Sequence, residues 1–433
     1  MNSEEFIKLC LDNGIKNVLL TINSVYSSNI EMHNDEVHKE QIMDVTTYTI
    51  KATYQDNTIT LNTEYLDESL ILSIKEMAEF TENKTLDEAL EAREIKANKK
   101  VKKEIVSDFK DDLIKAFQLA KKEPYCTFYL QQIEYHAVSK KIINSEGLSL
   151  ESNNSYYEYG CEITSKKDGK EAVTDTKIIV VKDKKDLDVL GFTKDIILTN
   201  KIHLNKKNIK SGKYKILFKE AVVKDLISYF VSMLNGNSVN KGITLLKDSL
   251  GQKEFSDKLT IIENPQDENS PSTRLFDDEG TTTSKKELLS KGIIKSFIYD
   301  NKSAKEAKKE SSGNSYNGGI DVRNVYLEKG NSSYEDLIKK MDNGIIVNDV
   351  MVSGSATNIN TGVYKGEISS GFLVENGKIV SGISNVIFVT NLKEIFNNVI
   401  DIGNEVVYTT STIGALCLLV DNITITGGVE NED

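Results

Sequence analysis

The apolar positions change period several times along the chain, and each change marks an element. Phe6, Leu9 and Cys10 share one face of a short helix, with Ser3 as its N-cap, Glu4 and Glu5 in its first turn and Gly14 at its end. Alternation takes over at Val18, Leu20 and Ile22 and predicts a strand. A run dense in β-branched and aromatic residues over 45–54 predicts a second strand, Asp56-Asn57 a turn, and 58–63 the returning partner. Asp67 caps a helix whose Leu70, Ile71, Ile74, Met77 and Ala78 face one way. The order then recurs. A helix over 107–122, ended by Pro124, precedes strands within 127–130, 142–143, 155–163 and 178–181, with a tight turn at 144–147. Helix plus hairpins, twice over, suggests a duplicated α+β half without a residue-level repeat.

In the second half, a strand over 214–218 leads into a helix over 219–234 with Val222, Leu226, Ile227, Phe230 and Met233 at helical spacing. Short strands follow. Asn235-Gly236, Asn317-Gly318, Asn343-Gly344 and Asn376-Gly377 supply the positive φ that two-residue turns need, and 372–380 is the strongest hairpin signal. Helices are expected here only over 333–341 and 392–399. The predicted class is therefore α+β: an α/β N-terminal region with helices packed on an antiparallel sheet, then a large, mostly antiparallel, barrel-like β domain. The expected divisions are an N-terminal unit over 1–82, a linker or exposed helix over 83–106, a central α+β unit over 107–210, and a β-rich domain over 211–433.

The 433 residues carry 54 Lys plus Arg against 66 Asp plus Glu, a net charge of −12, which disfavours direct nucleic-acid binding. The basic clusters at Lys99-Lys100, Lys102-Lys103 and Lys206-Lys207 lack interleaved aromatics and are expected to be solvated. Cys10, Cys126, Cys161 and Cys417 lie far apart in apolar surroundings with no CxxC spacing, as buried thiols of a reducing compartment do. The start, Met1-Asn2-Ser3-Glu4-Glu5, is unlike a signal peptide, and the apolar run over 415–420 is too short to cross a bilayer. A cytoplasmic location without membrane contact is expected.

Chemistry-bearing motifs are sparse. His33 and His38 are five apart, which places them on neither one helical nor one strand face. His136 falls on a strand and His203 after a helix. HExxH, GxSxG, P-loop and GxGxxG patterns are absent, so no metal, cofactor or catalytic residue is assigned. The densest carboxylate group is Asp277-Asp278-Glu279 before Gly280. It could hold a cation, meet the amine end of a peptide, or form a turn whose Asp side chains satisfy their own backbone. The segment 358–367, rich in small and amide residues, either lets backbone approach a ligand or makes wide bends. The substrate-binding candidates are Asp277, Asp278, Glu279, Asn360, Thr361 and Gly362, in a cleft where an extended peptide adds as a strand.

An ordered series of stretches resembles the TldD/PmbA family and, within it, the PmbA (TldE) branch. The series comprises Leu246-Lys247-Asp248-Ser249-Leu250-Gly251-Gln252, Leu259-Thr260-Ile261-Ile262-Glu263-Asn264-Pro265 and Phe276-Asp277-Asp278-Glu279-Gly280. It continues with Lys291-Gly292-Ile293-Ile294-Lys295, Ser303-Ala304, Asn360-Thr361-Gly362, Val374-Glu375-Asn376-Gly377, Asn391-Leu392 and Ile423-Thr424-Ile425-Thr426-Gly427-Gly428. In the first half, Ile143-Asn144-Ser145-Glu146-Gly147 is similar to a recurrent family turn. The resemblance implies a cytosolic dimer. It also implies that the TldD branch holds a metal through a HExxxH helix and a later cysteine and cleaves unfolded or modified peptides. The PmbA branch, on the same resemblance, lacks that set, partners the first, and is linked to peptide-antibiotic maturation and to DNA gyrase. Here the helix after Lys219 contains no histidine, the family's metal cysteine falls near Ile402-Gly403, and Cys417 does not match it. The expected function is thus a metal-free subunit, a homodimer or the partner of a metal-bearing TldD-like paralogue, that helps bind and process peptides. The alternatives are a metallopeptidase active on its own through carboxylates, or a regulatory protein acting on a partner such as gyrase.

Overall fold

The computed structural model describes residues 1–81, 90–97, 99–351 and 357–428. Helix α1 (Ser3–Asp12) is capped by Asn2 and not by Ser3: the Asn2 side chain accepts the Glu5 N–H while the Glu5 carboxylate accepts the Asn2 N–H. Three antiparallel strands follow, β1 (Lys16–His33), β2 (Glu36–Tyr54) and β3 (Asn57–Thr63), then α2 (Ser69–Glu79). The turn between β2 and β3 sits one residue earlier than expected, at Gln55 and Asp56, both at positive φ. A short strand, β4 (Glu94–Ile95), pairs in parallel with Ser149 and Leu150; of the lysine- and glutamate-rich stretch that contains it, residues 82–89 and 98 lie outside the described residues.

The second round repeats the first. Helix α3 (Lys110–Lys121), strands β5 (Cys126–Asn144), β6 (Ser149–Ser165) and β7 (Val173–Val181), and α4 (Val189–His203) restate helix–three strands–helix. His203 is the last residue of α4, not a loop residue beyond it. The two rounds join edge to edge through the antiparallel β1–β5 pair, giving the order β3-β2-β1-β5-β6-β7. All four helices lie on one face. Alternation puts Leu20, Ile30 and Met32 of β1 and Ile133, Tyr135 and Ile143 of β5 on that side, where each is buried. The opposite face carries Glu134, His136, Tyr156 and Glu158.

From β7 the sheet continues into the second half of the chain. Tyr408 pairs with Val180, and beyond it run Val407–Tyr408, Ile413–Ala415, Val325–Leu327, Ile261–Glu263, Lys286–Ser290 and Ile293–Ile294, completing 13 strands. After β8 (Lys206–Asn208), β9 (Gly212–Phe218) opens a second sheet that closes on itself. Strand Gly344–Met351 lies parallel to β9, β9 pairs with Leu418–Thr426, that strand with Ile387–Asn391, that with Val363–Glu375, and the last returns to Gly344–Met351. The result is a five-stranded barrel, as the barrel-like expectation required. Helix α5 (Glu220–Met233) buries Val222, Leu226 and Phe230 in a single apolar core shared by the barrel and the short strands.

Two of the four Asn-Gly pairs are not hairpin turns. Asn317-Gly318 and Asn376-Gly377 have positive φ at both residues and do connect hairpins. Asn235 instead caps a short helix, Gly236–Asn240, and a Cβ on Gly236 would stand 2.3 Å from the Tyr299 ring, so the glycine serves close approach. At Asn343-Gly344 the positive φ falls on Asp342, and a Cβ on Gly344 would lie 2.4 Å from the Lys215 carbonyl oxygen. Besides Tyr334–Met341 and Leu392–Asn397, two more short helices occur among the described residues beyond α5, Gly236–Asn240 and Asn301–Glu306. Among the described residues no helix is long and apolar enough to cross a membrane, which says nothing of a β-barrel.

Candidate functional site

The junction of β9 and α5 concentrates the reactive groups of the C-terminal half. Lys219 is the extended residue before α5, and its N–H donates to the Val347 carbonyl at 2.9 Å, which fixes where the helix begins. Its ammonium lies 3.3 Å from Glu220 Oε1 and 4.1 Å from the centre of the Tyr334 ring. The same Glu220 oxygen accepts a hydrogen bond at 3.0 Å from the Cys417 thiol, which arrives from a link between two strands nearly two hundred residues later. Gly403, near where the resemblance places a metal-binding cysteine, donates its N–H to the Cys417 carbonyl at 2.9 Å. Cys417 does not match the family's metal cysteine in chain order, yet its sulfur reaches the start of the helix.

The electrostatics of this cluster are those of an internal ion pair. Burial works against the Lys219 ammonium, but the acidic groups beside it, Cys417 and Glu220, outweigh that and hold it above the ordinary lysine range. Burial likewise opposes the Glu220 carboxylate, and the Lys219 charge and the Cys417 hydrogen bond bring it below the usual range. Burial pushes the Cys417 thiol well up, so it is a protonated donor at neutral pH. A zinc-type site needs neutral imidazoles or a thiolate. Of Lys219, Glu220 and Cys417 only the Glu220 carboxylate is an anionic ligand, and an ammonium already stands beside it. These residues do not fit a metal ion. The run Lys219-Glu220-Ala221-Val222-Val223-Lys224 keeps the glutamate and the spacing of HExxxH with lysine at both histidine places. That spacing was the readable signal; the thiol was not readable, because only the fold brings it there.

The acidic segment is placed elsewhere, against the face of the N-terminal sheet that the helices leave open. Phe276 packs with Ile142, Leu148 and Leu150. Asp277 is fully buried, and its oxygens accept the N–H groups of Glu279, Thr281 and Ser315 at 3.0, 2.8 and 3.0 Å. Burial pushes it up to about 6 in spite of those donors. Asp278 accepts from the Lys140 ammonium and from the Asn317 N–H; burial opposes its charge, and Lys140 outweighs burial and lowers it. Glu279, raised by burial, accepts the Asn301 N–H at 2.8 Å. The Arg93 guanidinium donates to the Gly280 carbonyl. Of the three carboxylates, Asp277 builds the turn and is out of a peptide's reach, whereas Asp278 and Glu279 keep partly exposed edges.

Asn360 and Thr361 are exposed at a bend before Val363–Glu375, and Gly362 at φ +75° closes it by donating to the Asn358 carbonyl at 2.8 Å. A Cβ on Gly362 would lie 2.9 Å from the Asn391 side chain and from Leu245. The Tyr229 hydroxyl, from α5, donates to Val363 O and accepts the Asn358 N–H. This bend and the acidic segment are not joined by any hydrogen bond or ion pair among the described residues.

A third polar cluster ties the halves together. His203 Nδ1 lies 2.7 Å from Asp175 Oδ1, and Ser370, on a barrel strand, places its Oγ 3.4 Å from His203 Nε2. The imidazole is 1% exposed and stacks on Phe372 at 4.7 Å, so no reactant can reach it. Lys99, Lys100 and Lys102 line a shallow groove of about 330 Å³ together with Lys182, Asn153 and Asn269.

Comparison with known proteins returns the same grouping. Residues 211–427 match the profile of the PmbA/TldA metallopeptidase C-terminal domain. A protein named metalloprotease PmbA homolog from Buchnera aphidicola subsp. Baizongia pistaciae is 32% identical over 204 residues, 47% of this chain and 44% of that one. Metalloprotease PmbA of Escherichia coli O157:H7 is 30% identical over 224 residues, 52% of this chain and 48% of that one. The chain thus spans about half the length of the curated relatives it matches. The crystal structure of TldE from Thermococcus kodakarensis superposes with a TM-score of 0.84 over 98% of this chain and 99% of that one at 21% identity. A Thermotoga maritima protein described as a candidate modulator of a DNA gyrase gives 0.86 at 23% identity, covering 98% and 99%. At these identities the two structures show the fold.

Proposed function

This chain belongs to the PmbA/TldD metallopeptidase family, and from that premise we propose that it is the metal-free member of a cytoplasmic two-chain peptidase. In this reading it holds an extended peptide beside the catalytic centre of a metal-bearing relative and does no metal chemistry itself. The observation that carries the reading is the Lys219–Glu220–Cys417 cluster. An ammonium, its counter-carboxylate and a protonated thiol occupy the start of the helix on which the resemblance places the metal ligands. Such a cluster activates no water. Peptide contact is assigned to Asp278, Glu279, Asn360 and Thr361, which keep exposed atoms, and to the bend that Gly362 closes beside the last two. Subunit pairing is assigned to the β-rich half, where Met351, Ile387 and Val389 expose apolar side chains outside the barrel.

Two measurements test it. After gel filtration in metal-free buffer, elemental analysis is expected to find no zinc or iron at the Lys219–Glu220–Cys417 cluster; one transition metal per chain that survives this step and is lost with Glu220→Ala would overturn the proposal and favour an autonomous metallopeptidase. Light scattering of the chain alone at micromolar concentration is expected to give the mass of a homodimer. A monomer mass would remove the assigned pairing surface.

A further inference from the structure

The tip of the first hairpin brings together a ligand set that sequence spacing hides. Glu31 and His33 are two apart on β1 and point to one face. His38 comes from β2, where the pairing steps from Met32↔Val37 to Glu31↔Lys39 and leaves His38 as the extra residue of a β-bulge. The bulge re-aims that side chain. The His38 ring lies on the His33 ring with centroids 4.1 Å apart and planes 9° from parallel. Five residues of separation therefore do not keep the two histidines apart, contrary to the spacing argument. One ligand atom from each of Glu31, His33 and His38 falls within 4.8 Å of the other two.

The tip is also a firm scaffold. His33 Nε2 is 2.7 Å from Glu31 Oε1, and the Phe128 ring packs edge-on against His33 at 5.6 Å. β5 pairs along β1 as far as His33↔Leu130. The turn residue Asn34 donates its N–H to Tyr129 O at 2.7 Å and accepts the Tyr129 N–H at 3.1 Å. Glu31 and His33 are thus held in place, while His38 is exposed and stacks on His33.

We propose that Glu31, His33 and His38 form a binding site for a borderline divalent transition-metal ion of the zinc type, with solvent in the remaining position. Two imidazoles and one carboxylate are a zinc-type donor set and a poor one for magnesium or calcium, which take oxygen ligands. Binding replaces the His33–Glu31 hydrogen bond by two bonds to the ion, and a rotation of His38 supplies the third. The bound ion would clip β2 to β1 beyond the reach of β3, whose pairing with β2 stops at Tyr48↔Thr63. The site shares no residue with the Lys219 cluster and stands independently of the proposed function.

The test is calorimetric titration of zinc chloride into the untagged full chain in metal-free buffer. About one zinc per chain at micromolar affinity is expected, with no heat from magnesium. His38→Ala, at an exposed position that the fold does not need, and Glu31→Gln are each expected to weaken zinc at least ~tenfold. His136→Ala, on the same sheet face, is expected to leave it unchanged. No zinc binding, affinity unaltered by both His38→Ala and Glu31→Gln, or loss with His136→Ala alone would each overturn the assignment.

Discussion

Replacing Glu263 by alanine is expected to lower stability by about 3–5 kcal/mol, the cost of leaving buried charge and donors without their partner. Glu263 is fully buried on strand Ile261–Glu263, in the middle of the short-strand part of the sheet. Its carboxylate accepts the Lys286 ammonium at 2.9 Å, the Asn314 amide at 2.9 and 3.1 Å, and the Arg323 N–H at 3.0 Å. Asn314 in turn accepts from Lys286 at 2.9 Å and from Ser312 at 2.7 Å, so every member of the network is satisfied. Alanine strands a nearly buried ammonium and two further donors together. Glu263→Gln keeps the shape and one acceptor and is expected to cost less, about 1–3 kcal/mol. Urea denaturation at unchanged slope measures both. A loss below about 1 kcal/mol for Glu263→Ala would mean that water or a rotated side chain takes over the partners.

How much of this could be read beforehand depended on how local the cause was. The helix–strands–helix rounds, with the turn at Asn144–Gly147, and the C-terminal hairpin at Asn376-Gly377 were legible because their apolar faces and turns are set by neighbouring residues. Strand lengths were not. β1 runs on through Asn23, Ser24, Ser27, Ser28 and Asn29, polar residues that break the alternation but pair fully with β2 and β5. Closing the barrel needs the parallel pairing of Ile345 with Ile216, about 130 residues away, and no local pattern encodes that register. Asn235 and Gly236 mislead because the same residue types that make turns also cap helices and permit close approach.

The candidate site divides along the same line. That Asp277 satisfies backbone N–H groups was one of the readings open from sequence, since such turns are built from residues a few positions apart. The partner of Asp278 was invisible, because Lys140 lies on a different strand of the other half. The lysines at 219 and 224 stand at a recognisable spacing, yet only three dimensions bring Cys417 onto Glu220. The same holds for His33 and His38, where one extra residue in one strand overturns an argument from parity.

In a complex with a metal-bearing relative, Thr361→Lys is expected to reduce peptide cleavage about tenfold, near 1.4 kcal/mol of binding, while leaving the melting temperature unchanged. Thr361 is exposed, and its hydroxyl makes only a long 3.4 Å contact with the Asn358 carbonyl, so a long cationic side chain can be accommodated there without strain. It would then obstruct backbone approach to the bend closed by Gly362 and meet the peptide's amine end with like charge. Asp278→Lys is a poorer probe. It would place an ammonium against Lys140, itself nearly buried, with Arg274 close by. Lys140 would lose its counter-charge and face a like charge, so the fold is expected to weaken by about 3 kcal/mol or more before any peptide is considered. The pair of variants separates two roles that one segment cannot reveal. If Asp278→Lys melts early and Thr361→Lys cleaves slowly at full stability, the Asp278–Lys140 pair joins the halves in addition to any peptide contact of the segment's exposed edges, and the bend is the peptide's neighbour. Cleavage untouched by Thr361→Lys would remove the bend from the peptide path and with it the proposed position of the substrate on this chain.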